Sequence, residues 1–260
     1  MLKFYPLFSG SKGNSELIVS DKAKILIDIG VSFKRLQEAL QEINLSINDI
    51  DAIFITHEHS DHCKALNQIL KHTSIPIYAT SGTLEALNIE NENTYKINYM
   101  NNQIKILDLT VSYFNTSHDC NMPCGYIIKS GDKKISISTD LGVITTQILE
   151  KMSNSDLVYI ESNHDPEMLK MGKYPFHLKK RILGKYGHLS NSACAEAISY
   201  LTDKGVNKFI LAHLSEENNT PEIAMQTVTS HLDSLNIPRE NIILDIASQD
   251  FNKEEYILWI

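Results

Sequence analysis

The chain has 260 residues, 42% hydrophobic and 22% charged, with a formal net charge of −8 at pH 7. That length carries one large core and no compositional shift marks a linker, so a single domain over 1–260 is expected, and the acidic balance excludes indiscriminate binding to polyanions. Four unevenly spaced cysteines exclude the disulfide framework of a small secreted domain. The absence of a signal-like start or of an apolar run near the ~18 residues of a spanning helix points to a cytoplasmic protein with no membrane partner.

Leu2 to Phe8 alternates enough for a first strand, and Ser9-Gly10-Ser11-Lys12-Gly13-Asn14-Ser15 follows as a turn of small residues and hydroxyls. Such a loop cradles an anion or is a plain turn; it lacks the Lys-Ser/Thr ending of a P-loop. Residues 16–19 and 24–29 read as a hairpin with Asp28 inside an apolar run. A buried carboxylate needs partners, so Asp28 supports a neighbouring site, caps the next helix, or does both. That helix is expected over 33–43 from Phe33, Leu36, Ala39, Leu40 and Ile43.

The run Ile50-Asp51-Ala52-Ile53-Phe54-Ile55 then ends in Thr56-His57-Glu58-His59-Ser60-Asp61-His62. Three imidazoles and a carboxylate at this spacing have no packing purpose, whereas a strand end can aim them into one space where cations such as Zn²⁺ take mixed ligands. Ala65, Leu66, Ile69 and Leu70 continue at helical spacing, so the cluster sits where a helix begins and where an anion is favoured.

Residues 76–79 read as a strand and 82–87 as a short helix; 95–114 turns β-like, with strands at 104–107 and 110–114 running into His118-Asp119. Cys120 and Cys124 flank a turn beside His118; a metal pair competes with plain reduced thiols, which the loose spacing favours. Residues 126–129 and 134–138 flank Ser130-Gly131-Asp132 as a hairpin that leads to Asp140. Strand 157–160 leads to Glu161-Ser162-Asn163-His164-Asp165, and 209–212 leads to His213. Between these, Lys170, Lys173, Lys179, Lys180, Arg181 and Lys185 form the densest basic stretch and run into Gly187-His188-Leu189-Ser190-Asn191. Ser190 or Asn191 caps a helix through Leu201, Thr220-Pro221 opens another to about 235, and 241–246 and 256–260 read as the last strands.

Strands that alternate with helices and also form hairpins point to a four-layer αββα sandwich of two mixed β-sheets. Asp28, His57-x-His59-x-Asp61-His62, His118, Asp140 and His213 resemble, in order and over the whole chain, the five motifs of the metallo-β-lactamase superfamily. The resemblance implies one divalent metal on His57, His59 and His118, a second on Asp61, His62 and His213, and Asp140 as a bridge. Two such cations, ~3.5–4 Å apart, hold a hydroxide nucleophile at neutral pH, which Asp61 orients or deprotonates. The His-rich set suits Zn²⁺ best and is compatible with Mn²⁺ or Fe. His62 is not the residue typical of the β-lactamases themselves, and His59 stands where oxygen-reducing diiron relatives carry Glu, which favours hydrolysis over redox chemistry.

The segments around Glu161, His188 and His213, with 9–14 and 168–183, are similar to the YycJ/WalJ-type bacterial proteins of this fold. That similarity implies a DNA-directed nuclease, with 5′-to-3′ exonuclease activity expected. Looser similarity to ribonucleases Z and J places His188 beside the scissile phosphate as general acid, oriented by Glu161; a helix-cap role for His188 competes. Ser9, Ser11, Asn163, His164, Lys179, Lys180 and Arg181 are the candidate substrate contacts. For His164 a backbone hydrogen bond competes with that role, and for the basic residues a solvated helix face does. No large insertion resembling the β-CASP domain is present, so a clamp on the strand is small or comes from a second subunit of a homodimer. Two rival readings are a small-molecule hydrolase acting on a thioester, lactone or cyclic nucleotide, and a nucleic-acid-binding module with structural metals.

Overall fold

Burial alternates at the start of β1 (Leu2–Phe8), where Leu2 and Phe4 are buried and Lys3 and Tyr5 half-exposed, the period of a strand with one packed face. The computed structural model describes residues 1–97 and 103–258. Contacts group them into two compact units, Met1–Tyr113 with Cys120–Lys133 and Ser248–Ile260, and Phe114–Asp119 with Lys134–Ala247.

In the first unit, β2 (Ser15–Val19) pairs antiparallel with β1 and with β3 (Lys24–Ile27). Helix α1 (Phe33–Glu42) buries Leu36, Ala39 and Leu40 and is capped by Ser32, which accepts from Arg35 N. Asp28 is therefore no helix cap. The crossover delivers β4 (Ala52–Phe54) parallel to β3, and its three residues are all buried, as in a parallel strand covered on both faces. The chain continues through α2 (Ser60–Cys63), α3 (Leu66–His72), β5 (Ile77–Thr80), α4 (Ser81–Leu87) and β6 (Thr94–Ile97), with β4, β5 and β6 in parallel register. Then β7 (Gln103–Ile106) and β8 (Leu109–Asn115) form an antiparallel hairpin, and β9 (Cys124–Ser130) follows. Residues 98–102 of the β-like stretch lie outside the described residues.

The second unit repeats a β-α-β scheme: β10 (Lys133–Ser138), α5 (Thr146–Met152), β11 (Leu157–Glu161), α6 (Pro166–Met171), α7 (Phe176–Ile182), α8 (Asn191–Asp203), β12 (Lys208–Ala212), α9 (Pro221–Ser234) and β13 (Ile243–Ile246). The four strands are parallel neighbours in chain order. Ser190 caps α8 and Thr220 caps α9, with Pro221 in the first turn, where a missing N–H costs nothing. The chain ends on β14 (Tyr256–Leu258), antiparallel to β1; the last two residues of the expected strand 256–260 lie outside the described residues.

Both sheets have seven strands and are mixed; the first runs β14-β1-β2-β3-β4-β5-β6 and the second contains β7 to β13. Among the described residues no helix is long and apolar enough to cross a membrane. Side chains that can do chemistry sit just past strand ends. Asp28 follows β3, Asp140 follows β10 and His213 follows β12, and all three adopt left-handed backbone, with φ of 58°, 53° and 56°. That conformation costs a non-glycine residue on the order of 1 kcal/mol and concentrates at functional sites.

Candidate active site

In the first unit the buried Asp28 organises the loop after β4. Its Oδ1 accepts Thr56 N at 2.8 Å, and its Oδ2 accepts the Thr56 hydroxyl and His62 Nδ1, each at 2.7 Å. Burial pushes the Asp28 carboxyl above its usual range, against the pull of His62 and Thr56. Since the Thr56 proton goes to Asp28, the hydroxyl oxygen accepts from His57 Nδ1 at 2.9 Å. His59 is held from its other nitrogen, Nε2, 3.3 Å from Cys120 Sγ. Ligand atoms of His57, His59 and Cys120 lie within 4.8 Å of one another, and Asp61 Oδ2 is 3.7 Å from His62 Nε2. The backbone pins this turn: Asn14 N donates to Asp61 O and Ile29 N to His62 O, both at 2.8 Å. A Cβ on Gly30 would stand 1.6 Å from Asp61 O, so only glycine permits the approach. The helix expected to begin at the cluster comes as two pieces: α2, a single turn whose N-cap His59 makes no side-chain cap bond, and α3, which buries Leu66 and Ile69.

In the second unit the organiser is Glu161, the fully buried last residue of β11. Its Oε1 accepts His188 Nδ1 and His213 Nδ1, both at 2.8 Å, and its Oε2 accepts Leu141 N and Leu189 N, both at 3.0 Å. Burial alone would raise this carboxyl; the charge of His188 and the imidazole donors outweigh it and bring the pKa down to about 2. Asp140 Oδ1 lies 3.5 Å from Nδ1 of both His188 and His213, and 3.8 Å from His118 Nε2. His118 Nδ1 donates to Gly187 O at 2.9 Å, and burial lowers its pKa. Gly187 is itself required, since a Cβ there would meet Ile182 O at 2.1 Å.

The profile of the Beta-lactamase superfamily domain matches residues 23–214. The chain belongs to the metallo-β-lactamase superfamily. It is 34% identical to the exodeoxyribonuclease YycJ of Bacillus anthracis over 238 residues, 89% of each chain. It is 36% identical to the exodeoxyribonuclease WalJ of Streptococcus pneumoniae serotype 2 over 240 residues, 88% of each, and so falls in the YycJ/WalJ group. Among solved structures, the metallo-beta-lactamase fold protein YhfI of Bacillus subtilis matches 99% of this chain and 100% of its own, with TM-score 0.75 at 15% identity. Human tRNase Z, short form, matches 99% and 100% with TM-score 0.66 at 17% identity. The protein is a metal-dependent hydrolase of the metallo-β-lactamase fold.

The His/Asp clusters of this fold fit divalent-metal binding. His57, His62, His118 and His213 are each hydrogen-bonded to the protein through Nδ1, and His59 through Nε2. Fixing one ring nitrogen in this way sets tautomer and orientation for the other. His62 Nε2 also lies 3.1 Å from Asn14 Nδ2, so that amide shares the nitrogen a cation would take.

Several expected substrate contacts are turned inward. Asn163 is buried and its amide donates to His213 O at 2.8 Å, holding the left-handed turn of a ligand candidate. His164 is 1% exposed and neither ring nitrogen finds a hydrogen-bond partner among the described residues, so the expected backbone bond is not made; burial lowers its pKa to about 4. Ser9 is buried while Ser11 is exposed, so the first loop does not present both hydroxyls. Lys179 Nζ caps Lys170 O at 2.7 Å, and Arg181 pairs with both oxygens of Asp119; Lys180 is exposed. His188 caps no helix, since Ser190 caps α8.

Sequence reading missed Thr56, Asn14 and Cys120 as partners of the imidazoles. Thr56 is adjacent to the His cluster and Asn14 ends a loop already singled out, so a local signal existed for both. For Cys120 there was its position two residues after His118, but Cys124 beside it is buried in β9 with its thiol 3.6 Å from Thr56 O, and nothing in the sequence separates the two.

Proposed function

We propose that this chain is a dinuclear metal-dependent phosphodiesterase that degrades DNA from the 5′ end, with residues 1–260 working as one domain. The observation that carries the reading is the likeness, over 88% and 89% of both chains, to proteins named exodeoxyribonucleases. His57, His59 and His118 are the ligands assigned to one ion, Asp61, His62 and His213 to the other, with Asp140 shared; Zn²⁺ suits this set best. Two divalent ions held there would supply a water-derived nucleophile at neutral pH and would neutralise charge on the attacked phosphoryl group. Asp61 would orient the water or take its proton. His188, held at Nδ1 by Glu161 at 2.8 Å, gives the proton on Nε2 to the departing oxygen; the carboxylate fixes the ring's orientation for this step. Of the expected contacts to the phosphate backbone, Lys180 and Ser11 remain exposed, and a clamp on the strand is small or comes from a second copy of the chain.

The test is to incubate metal-loaded protein with 5′- and 3′-labelled single- and double-stranded DNA, beside His188→Ala and a chelator-treated sample. Wild type should shorten the strand from the 5′ end, the chelator should abolish this, and His188→Ala should lose roughly 10²–10⁴-fold. If the protein degrades none of these substrates with Zn²⁺ or Mn²⁺, the nuclease reading fails.

A further inference from the structure

The stretch from 168 to 195 contains no Asp or Glu in a chain of net charge −8, and it holds Lys170, Lys173, Lys179, Lys180, Arg181 and Lys185. Three of these cations are already engaged: Lys170 with Glu167, Lys179 with Lys170 O, and Arg181 with Asp119. Lys173, Lys180 and Lys185 are exposed and make no ion pair among the described residues. The same stretch of chain carries the two most exposed large hydrophobic side chains described, Met171 at 86% and Phe176 at 81%, together with Tyr186 at 54%. Phe176 opens α7 and Lys179 and Lys180 follow three and four residues later, on the same helix face. Lys185 Nζ stands 5.3 Å from the Tyr186 ring centroid. Tyr186 is in turn adjacent to Gly187, whose carbonyl takes the His118 proton, and two residues from His188.

We propose that Phe176 and Tyr186 are stacking platforms for unpaired bases of a nucleic-acid strand, with Lys173, Lys180 and Lys185 against its phosphates. The inference rests on the nuclease reading and adds to it the form of the substrate: a single strand, or a duplex end that has been opened. An aromatic ring needs the face of a base, which a duplex hides within its stack, whereas lysines alone serve either form. A second copy docked symmetrically on this face would set lysines against lysines, which disfavours self-association here.

The experiment measures binding without cleavage, by fluorescence anisotropy of metal-loaded full-length protein with nuclease-resistant phosphorothioate oligodeoxynucleotides, single-stranded and as a closed duplex. Phe176→Ala and Tyr186→Ala should each weaken single-strand binding by about tenfold, the loss of one base–aromatic stack, and leave duplex binding as it was. Phe176→Trp should retain it, and Lys180→Ala should weaken both forms and flatten the salt dependence. Single-strand affinity unchanged in both ring variants overturns the proposal, as does an equal loss on single strand and duplex. A dimer split by Phe176→Ala in sedimentation, with strand binding intact, overturns it in favour of a second copy. If wild type shows the ring-dependent binding yet degrades no DNA, the nuclease reading alone fails; if it degrades DNA while the ring variants bind normally, this inference alone fails.

Discussion

Glu161 Oε1 accepts the Nδ1 proton of His188 at 2.8 Å, and the carboxylate that does so has no exposed surface. A general acid so held matters only where the leaving group needs a proton. His188→Ala should lose on the order of 10²-fold in kcat on DNA, and far less on a p-nitrophenyl phosphodiester, whose phenolate leaves unprotonated. Equal losses on the two substrates would remove the acid role.

Glu161→Gln places an amide N–H₂ against either the imidazole donors or the Leu141 and Leu189 backbone donors, so buried N–H groups go unpaired. Stability should fall by about 2–6 kcal/mol, at ~1–3 kcal/mol for each of two orphaned donors, as read by the urea midpoint. His213 loses its orientation in the same variant, so metal affinity should fall about 10–100-fold in a chelator competition.

Thr56→Val removes one hydroxyl that both donates to Asp28 and accepts from His57, while keeping the side chain's shape. Metal affinity should again drop about 10–100-fold, and metal-free stability should fall by about 1–3 kcal/mol because the buried His57 Nδ1–H loses this acceptor. An unchanged chelator midpoint would mean that Thr56 does not set the His57 ring.

Gly30→Ala puts a methyl 1.6 Å from Asp61 O and 2.7 Å from Asn14 N, both backbone atoms that have no rotamer to escape into. Destabilisation of about 3 kcal/mol, the upper end of overpacking, is expected in urea unfolding. Because the displaced turn of α2 carries Asp61, a candidate ligand, bound metal counted by plasma mass spectrometry should fall as well.

His164 gives the protein an acid sensitivity with a definite sign. Its folded pKa of about 4 lies below the unfolded value of 6.5, so the unfolded chain takes up the proton first and stability is lost as pH falls from about 6.5 to 4. Between pH 7.5 and 5 this amounts to about 2 kcal/mol. His164→Leu, which titrates nothing, should lose that much less over the same interval in urea unfolding of chelator-treated protein. Parallel losses in the two proteins would show that His164 does not titrate between them.

Ligand candidates were legible because each is a local event: an apolar run, then an imidazole or carboxylate where the strand stops. The His57 to His62 spacing, Asp140 after 134–138 and His213 after 209–212 are read within ten residues. Helices α1, α8 and α9 were legible for the same reason, through apolar period and caps. Helices α5, α6 and α7, six or seven residues each, are too short to write a period; of these only the basic face of α7 was weighed as helical, and without bounds.

By itself the sequence determined which residues can ligate a metal, which strands carry them and which superfamily the chain joins. The bond from His188 to Glu161 was implied by the resemblance; what holds the other rings was decided only by the tertiary structure. Glu161 reaches across 52 residues to His213, Gly187 across 69 to His118, and Cys120 across 61 to His59. It likewise turned Asn163 inward and spent Arg181 on Asp119, 62 residues away. Sequence spacing encodes the strand ends. The partners of the atoms beyond those ends are set by register between distant segments, which no local pattern records.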